Sequence, residues 1–443
     1  MYLQELHIQN LRVFAEASAT FLSPERARGA EERNAEERKP EYPNLNLVLG
    51  NNGTGKSTLL KAIALACLGP LAEKFSPYLL VRRSGKPTPR KRASAIVATG
   101  LPEDRAVVRA RFQCTWQDVG EKKPSDTSAA LAWAFHINRT GDEESVELLY
   151  APKGEVPEAT RALWAPIHQN SSPAFLTVGY GATRRVDTDP NAPTPAQRLR
   201  TLPLRHQRIQ SLFTEGYTLV PLGHWLPQLK ARNPGRFKQV FHRINEVLPG
   251  DIRFTDRLDG TGEYLFEQQG ARVPFAALSD GCRAYIGWVA DLLYHICFGC
   301  PSGVKLVDNC GIVLVDEVDL HLHPDWQRTV LPRLAQAFPR LQFIATTHSP
   351  IVVGTLQRGN LWVCEPAPDG NGSVLAQKET GVHGLNADQI LLTEYFGLKT
   401  SRAAPKERQL DRIAAAAERK VPGQGAAFLR SLVTPLEDED PHD

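Results

Sequence analysis

Apolar and polar positions alternate along residues 1–22 (Leu3, Leu6, Ile8, then Leu11, Val13, Phe14), a period that predicts two strands around a turn at Asn10. The short run Leu45-Asn46-Leu47-Val48-Leu49 predicts a buried strand, and Leu59, Leu60, Ile63, Ala64, Cys67 and Leu68 then recur at helical spacing. Strand-like stretches at 93–99, 105–116, 131–138 and 145–150 are separated by Gly, Pro and Asp, which suggests an antiparallel layer beside the core. Residues 174–185 predict a buried strand ending in a turn with exposed arginines. The next segment, 186–234, is rich in Pro, Arg and His (Arg198, Arg200, Arg205, His206, Arg208) and predicts short helices or irregular chain. Phe237 to Leu248 is amphipathic and helical, 252–275 predicts two or three strands, and an apolar helical run spans Tyr285 to Ile296. Two further apolar runs, Gly311–Val315 and Leu341–Thr346, predict buried strands that end in polar residues. No heptad pattern persists, which argues against a long coiled-coil arm, and no internal repeat is visible.

Composition changes this picture little. A chain of 443 residues with 42% apolar and 23% charged residues can bury a large core and matches an ordinary globular protein. The formal net charge of +3 dictates no nucleic-acid partner, so local clusters must carry that reading. One such cluster, Arg82-Arg83-Ser84-Gly85-Lys86 with Arg90-Lys91-Arg92, is either a nucleic-acid patch or a solvated loop. Residues 23–43, dense in Glu and Arg, form a solvated insertion between strands. The absence of an eighteen-residue apolar run and of a signal-peptide pattern behind Met1 points to a cytoplasmic protein with no membrane contact. Seven cysteines, an odd number, fit reduced thiols. His295, Cys297, Cys300 and Cys310 include one C-x-x-C without a second pair, which is weak support for zinc.

The chemistry concentrates in four places. Gly50-Asn51-Asn52-Gly53-Thr54-Gly55-Lys56-Ser57 is a G-x-x-x-x-G-K-[ST] phosphate loop in the required strand–loop–helix order, continuing into Thr58. Its glycines let backbone N–H groups wrap a phosphate, Lys56 reaches the β- and γ-phosphates of ATP, and the Ser57 hydroxyl ligates Mg²⁺. The strand at Gly311–Val315 ends in Asp316-Glu317, where Asp316 would hold Mg²⁺ and Glu317 would polarise the attacking water. The strand at Leu341–Thr346 leads to Thr347-His348, and a histidine there can donate to the γ-phosphate or to that water. Leu278-Ser279-Asp280-Gly281 precedes a helix. Its Ser and Gly are either an ordinary N-cap or a second anion-binding cap for an ATP held by another subunit.

Taken together these stretches resemble the ABC-type ATPase heads of the SMC, RecF and OLD group. Asp316-Glu317-Val318-Asp319-Leu320-His321-Leu322-His323-Pro324 and Thr346-Thr347-His348-Ser349-Pro350 resemble the OLD-like branch, which includes the Septu-type and retron-associated ATPases of bacterial phage defence. Tyr180-Gly181-Ala182-Thr183-Arg184 and Leu392–Leu398 resemble recurring stretches of that defence branch less specifically. Ile8–Phe14 is similar to the opening strand of these heads, and only the resemblance brings Arg12 toward the nucleotide. The likeness covers about 1–70 and 275–400 well and the middle poorly. The glutamine that usually closes the signature is Cys282 here, and the lobe-linking glutamine is Gln113, Gln117 or Gln169. OLD nucleases carry a Toprim domain needing a Glu and an Asp-x-Asp at strand ends. Glu365 offers the first, but Asp438-Glu439-Asp440 lies in an acidic tail with no strand before it, so no intrinsic nuclease is expected.

The resemblance therefore implies an α/β fold: a P-loop NTPase with an ABC-type bilobed head, an antiparallel β layer and an inserted middle region. Its divisions are an N-terminal lobe at 1–185, an inserted mixed region at 186–275, a C-terminal lobe at 276–400 and a helical, acidic tail at 401–443. The expected function is a homodimeric ATPase, hydrolysing ATP with Mg²⁺, that regulates a separate effector nuclease in anti-phage defence. A RecF-like repair ATPase and an ATP-bound, toxin-neutralising scaffold are the alternatives.

Overall fold

Period-2 alternation places the first strands where the sequence expects them: β1 (Tyr2–Leu11) and β2 (Phe14–Thr20) form an antiparallel hairpin in which Leu11 faces Phe14. The turn lies at Arg12-Val13, just after the expected Asn10, and both Asn10 and Arg12 adopt positive φ (54° and 49°). Asn10 holds that conformation by donating its side-chain amide to the Arg105 carbonyl at 2.6 Å. The computed structural model describes residues 1–25, 40–75, 105–121, 129–140, 143–149, 165–169, 172–186, 203–301 and 303–400, with Gln197 and Leu410. Most of the charged insertion, the basic cluster at 82–92, the expected strand at 93–99 and the acidic tail lie outside these residues.

Contacts divide the chain into a unit at Met1–Leu385 and a second at Asn386–Asp443. In the first unit the strands β3 (Leu45–Gly50), β4 (Arg105–Cys114), β5 (Ala129–Thr140), β6 (Glu143–Leu149) and β7 (Thr177–Tyr180) are followed by a short parallel pair, β8 (Arg185–Val186) and β9 (Thr218–Leu219). A separate three-stranded meander follows, β10 (Ile252–Leu258), β11 (Tyr264–Gln268) and β12 (Ala271–Pro274). Then come β13 (Gly311–Val315), β14 (Leu341–Thr346), β15 (Leu361–Pro366) and β16 (Ser373–Ala376). Eleven strands join in the order β6-β5-β4-β1-β2-β16-β15-β3-β14-β13-β7. The antiparallel strands are therefore continuous with the nucleotide core and not a layer beside it, because β2 and β16 meet in parallel at Phe14 and Ser373.

Helix α1 (Lys56–Leu68) explains how one sheet serves both halves. It is buried on nearly every side, touching β4 as well as β3, β14, β13 and β7, so the sheet curls around it. Trp133 of β5 donates its indole N–H to the Ala66 carbonyl at 3.0 Å, tying the antiparallel half to the helix. The middle region is more ordered than its Pro-rich sequence suggests. It holds α2 (Leu204–Gln210), α3 (Leu222–Arg232) and α4 (Pro234–Val247), and the long α5 (Asp280–Gly299) follows it. Pro at the N1 position and the Asn233 side-chain cap start α4 three residues before the apolar pattern does. In the second unit a capping box of Asn386 and Gln389 opens the helix Ala387–Leu391. No helix among the described residues is long and apolar enough to cross a membrane.

Candidate functional site

In parallel strands all C-terminal ends lie at one edge, and here that edge collects the motifs. Val315 of β13 lies level with Ala345 of β14 and Tyr180 of β7, and Gly50 of β3 lies level with Cys364 of β15. The phosphate loop turns out of β3 through Gly50 (φ 148°) and Gly53 (φ 79°) and enters α1 from Gly55 (φ 109°). A Cβ at Gly50 would overlap the Cys364 carbonyl, and one at Gly55 would sit 2.7 Å from the Phe14 ring, so both glycines are required by close approach as well as by φ. Thr54 closes the loop by donating its hydroxyl to the Asn51 carbonyl at 2.8 Å. Lys56 is buried, and its Nζ donates to the Gly50 and Asn51 carbonyls at 2.9 and 3.2 Å. Burial pushes its ammonium below the usual lysine value, against the opposing pull of Asp316, Glu317 and Asp319. The turn carrying Arg12 presses on this loop through Val13 and Phe14, which flank Gly55. Arg12 itself is exposed, close enough to Lys61 for their charges to interact.

Asp316 and Glu317 are fixed by the neighbouring strand end. The Thr346 hydroxyl donates to Asp316 Oδ1 at 2.5 Å and accepts from the Glu317 N–H at 2.8 Å. Asp316 also donates its backbone N–H to the Tyr180 carbonyl at 2.8 Å. Glu317 takes φ 48°, a left-handed conformation that costs a non-glycine residue about 1–3 kcal/mol and persists only when its surroundings over-determine it. One residue on, Thr347 donates to Asp319 Oδ1 at 2.5 Å, which tethers the segment leading to His348 beside the segment leaving β13. His348 is half-buried on the same edge.

The Ser279 cap is built differently. Ser279 is exposed, caps α5 by accepting from the Cys282 N–H at 3.4 Å, and donates to Cys282 Sγ at 2.9 Å. A Cβ on Gly281 would overlap the His321 carbonyl, so this glycine lets α5 approach the segment that follows Glu317. Cys282, at the position where the resemblance implies a glutamine, is buried beneath the cap.

Several expectations need correction. Arg184 is buried, not exposed: its Nη2 donates to the Glu317 carbonyl at 2.7 Å, and burial lowers its guanidinium to about 10 despite Asp316, Asp319 and Glu317 nearby. Arg205 and Arg208 are buried too. Arg205 donates to the carbonyls of Pro166, Ile167, Ala174 and Phe175, and Arg208 donates to that of His295, so these arginines serve the interior and not a nucleic-acid patch. Two of the three candidate linking glutamines lie at the wrong edge. Gln117 spans Pro173 and Cys310 before β7 and β13, and Gln113 pairs with Gln4 and Glu25 near the start of β1. Gln169 is exposed on the short turn that leads toward the start of β7. Glu365 is tied to Lys378 at 2.6 Å. Cys300 accepts from Arg236 and Asn309, and no group of three or more His, Cys, Asp or Glu able to hold a metal occurs among the described residues.

Comparison with known proteins agrees with this geometry. Residues 226–354 match a family model described as an AAA domain, putative AbiEii toxin, Type IV TA system, and residues 5–143 match a second AAA-domain model. The chain is 26% identical over 354 residues to a Septu protein PtuA of Bacillus mycoides, covering 80% of this chain and 40% of the relative. It is 38% identical over 101 residues to a retron Ec83 probable ATPase of Escherichia coli, covering 23% of this chain and 19% of that one. The chain is an α/β P-loop protein that is similar to AAA domains over 5–143 and 226–354. The chain spans 40% or less of the length of these two relatives. An SMC head solved with the C-winged helix domain of ScpA aligns over 85% of the chain at 15% identity and a TM-score of 0.45.

The sequence reasoning missed Arg184, Thr346 and Tyr180 as parts of the site. A signal existed for Arg184: it follows a short apolar strand, and in a parallel sheet such strands all deliver their next residues to one edge.

Proposed function

We propose that the chain binds and hydrolyses ATP as a homodimer and regulates a separately encoded effector nuclease in anti-phage defence. The observation that carries the ATPase reading is the convergence of Lys56, Asp316, Glu317 and His348 on one sheet edge, where Thr346 locks Asp316 and Glu317 together. The phosphate loop, Gly50, Asn51, Asn52, Gly53, Thr54, Gly55, Lys56, Ser57 and Thr58, fits a triphosphate because both of its approach points admit only glycine. Lys56 would leave the Gly50 and Asn51 carbonyls for the β/γ-phosphates, a charge-assisted contact stronger than the neutral bonds it gives up. Ser57 and Asp316 would hold Mg²⁺, which when bound neutralises charge developing on the phosphates. Glu317 orients the attacking water, His348 donates at the same centre, and Arg12 contributes positive charge from the adjacent turn.

The dimer reading rests on the cap: Ser279 is exposed at the N-terminus of α5 and, with Gly281, suits an ATP held by a second copy's phosphate loop. The defence role rests on the Septu and retron relatives, and the separate effector on the absence of a recognisable nuclease motif among the described residues. Purified protein should hydrolyse ATP with Mg²⁺ and cleave neither DNA nor RNA. Glu317→Gln should accumulate as an ATP-loaded dimer in size-exclusion chromatography. Nuclease activity removed by a point mutation in this chain, or full turnover by a monomer at high dilution, would overturn the proposal.

A further inference from the structure

Glu317 is held at both of its peptide groups: its N–H by Thr346, its carbonyl by the Leu320 N–H at 3.0 Å and by the Nη2 of Arg184 at 2.7 Å. Of these, the Arg184 restraint alone comes from outside the segments that carry the recognised motifs. Arg184 is 6% exposed, and its Nε and Nη1 are buried without a hydrogen-bond partner among the described residues. Leaving two donors of a buried cation unsatisfied is costly, so a purely structural arginine would gain by losing them.

The backbone that delivers Arg184 is itself fastened. Before it, the Tyr180 hydroxyl donates to Asp291 of α5 at 2.9 Å, and the Gly181 N–H donates to Ser211 Oγ at 3.1 Å. After it, Val186 packs so closely on Gly287 of α5 that a Cβ there would overlap its side chain. Arg184 thus projects from a loop pinned on both sides to the helix whose first residues are the Ser279–Gly281 cap.

We infer that Arg184 is a positioning residue for the proposed hydrolysis, clamping the Glu317 main chain so that its carboxylate faces the reacting centre and stays in register with α5. This deepens the ATPase reading and rests on it for the consequence in turnover, but the clamp itself exists without nucleotide. A misplacement of about 1 Å at a reacting group costs on the order of a hundredfold in rate.

The test uses the full chain carrying Arg184→Gln, Arg184→Lys or Gly287→Ala. In the absence of nucleotide, hydrogen exchange at the Glu317 amide should accelerate at least about tenfold in Arg184→Gln. With ATP and Mg²⁺, kcat should fall about a hundredfold while the dissociation constant for ATP changes less than about threefold, and Arg184→Lys should recover part of the loss. Adding Arg184→Gln to Glu317→Gln should cost nothing further, because Arg184 acts through Glu317. Gly287→Ala, remote from the phosphates, should lower kcat in the same sense. Unchanged exchange at Glu317, or a loss of ATP affinity matching the loss of turnover, would overturn the inference. Wild-type protein without turnover would sink the ATPase reading, and exchange at Glu317 would still decide whether the clamp exists.

Discussion

The phosphate-loop edge and the Ser279 cap both centre on helix N-termini, yet they are built to opposite standards. At the first, every approach is filled from elsewhere in the chain: Phe14 and Val13 on Gly55, Cys364 on Gly50, Thr346 on Asp316 and Glu317. At the second, the Ser279 side chain meets Cys282 three residues on, its carbonyl accepts from the Arg283 N–H at 2.9 Å, and the residue itself is exposed. Both kinds of N-terminus bring the same half-charge to bear. One end is enclosed by the rest of the fold and the other is open at its serine, which is the asymmetry the proposed dimer would use.

The largest effect should come from breaking the completed end. Lys56→Ala removes the one cation buried in the loop, and ATPase activity should drop at least about a hundredfold with weakened ATP binding. Calorimetric titration with ATP checks it, and wild-type turnover in the mutant would refute the assignment.

Breaking the open end should leave nucleotide binding intact and stop turnover. Ser279→Arg should bind ATP as the wild type does yet fail to dimerise or hydrolyse. Mixed with Lys56→Ala, it should regain activity, because each heterodimer then holds one site with both a sound loop and a sound cap. No regain on mixing would show that the two ends never meet across subunits.

A smaller effect sharpens the link between them. Tyr180→Phe or Asp291→Asn removes a buried hydrogen bond behind the site and should cost about 1–3 kcal/mol of stability by chemical denaturation. Burial alone would raise the Asp291 carboxyl, but the neighbouring His295, with the Val220 N–H and Tyr180 hydroxyl, holds it below the usual aspartate value. A depressed acid contributes stability above its unfolded value, near pH 4, and loses it as the pH falls through the folded one. The wild type should therefore lose an acid-sensitive increment that Asp291→Asn lacks.

The smallest effect belongs to the cap as a cap. Ser279→Ala should cost about 1 kcal/mol of stability, since only one backbone N–H loses its partner. A melting-temperature shift equal to that of Asp291→Asn would mean the cap is less open than its exposure indicates.

How much of this was legible follows from how local each feature is. The phosphate loop, Asp316-Glu317 and the strand leading to His348 are contiguous motifs, so their spacing alone placed them at one sheet edge. The two- and three-strand patterns at 105–149 and 252–275 were legible for the same reason. Arg184, Arg205 and Arg208 were not. The apolar residues beside them (the strand before Arg184, Leu204 and Ile209) announce a buried backbone but not a buried guanidinium, and their partners are carbonyls as many as 133 positions away. The continuity of the antiparallel strands with the core was hidden too, because it hangs on one bridge, Phe14 to Ser373.

The position of β3 sets the order in which the protein can be assembled. Its two neighbours, β14 and β15, begin only at Leu341 and Leu361. A chain emerging from the ribosome therefore makes its phosphate loop early and then carries β3 with both edges bare until most of the sequence has been synthesised. Local hairpins such as β4–β5–β6 can close long before that, whereas pairing over such separations is slow. The nucleotide-binding edge comes into being only with the last strands, so a prematurely terminated product would contain the motif and not the site.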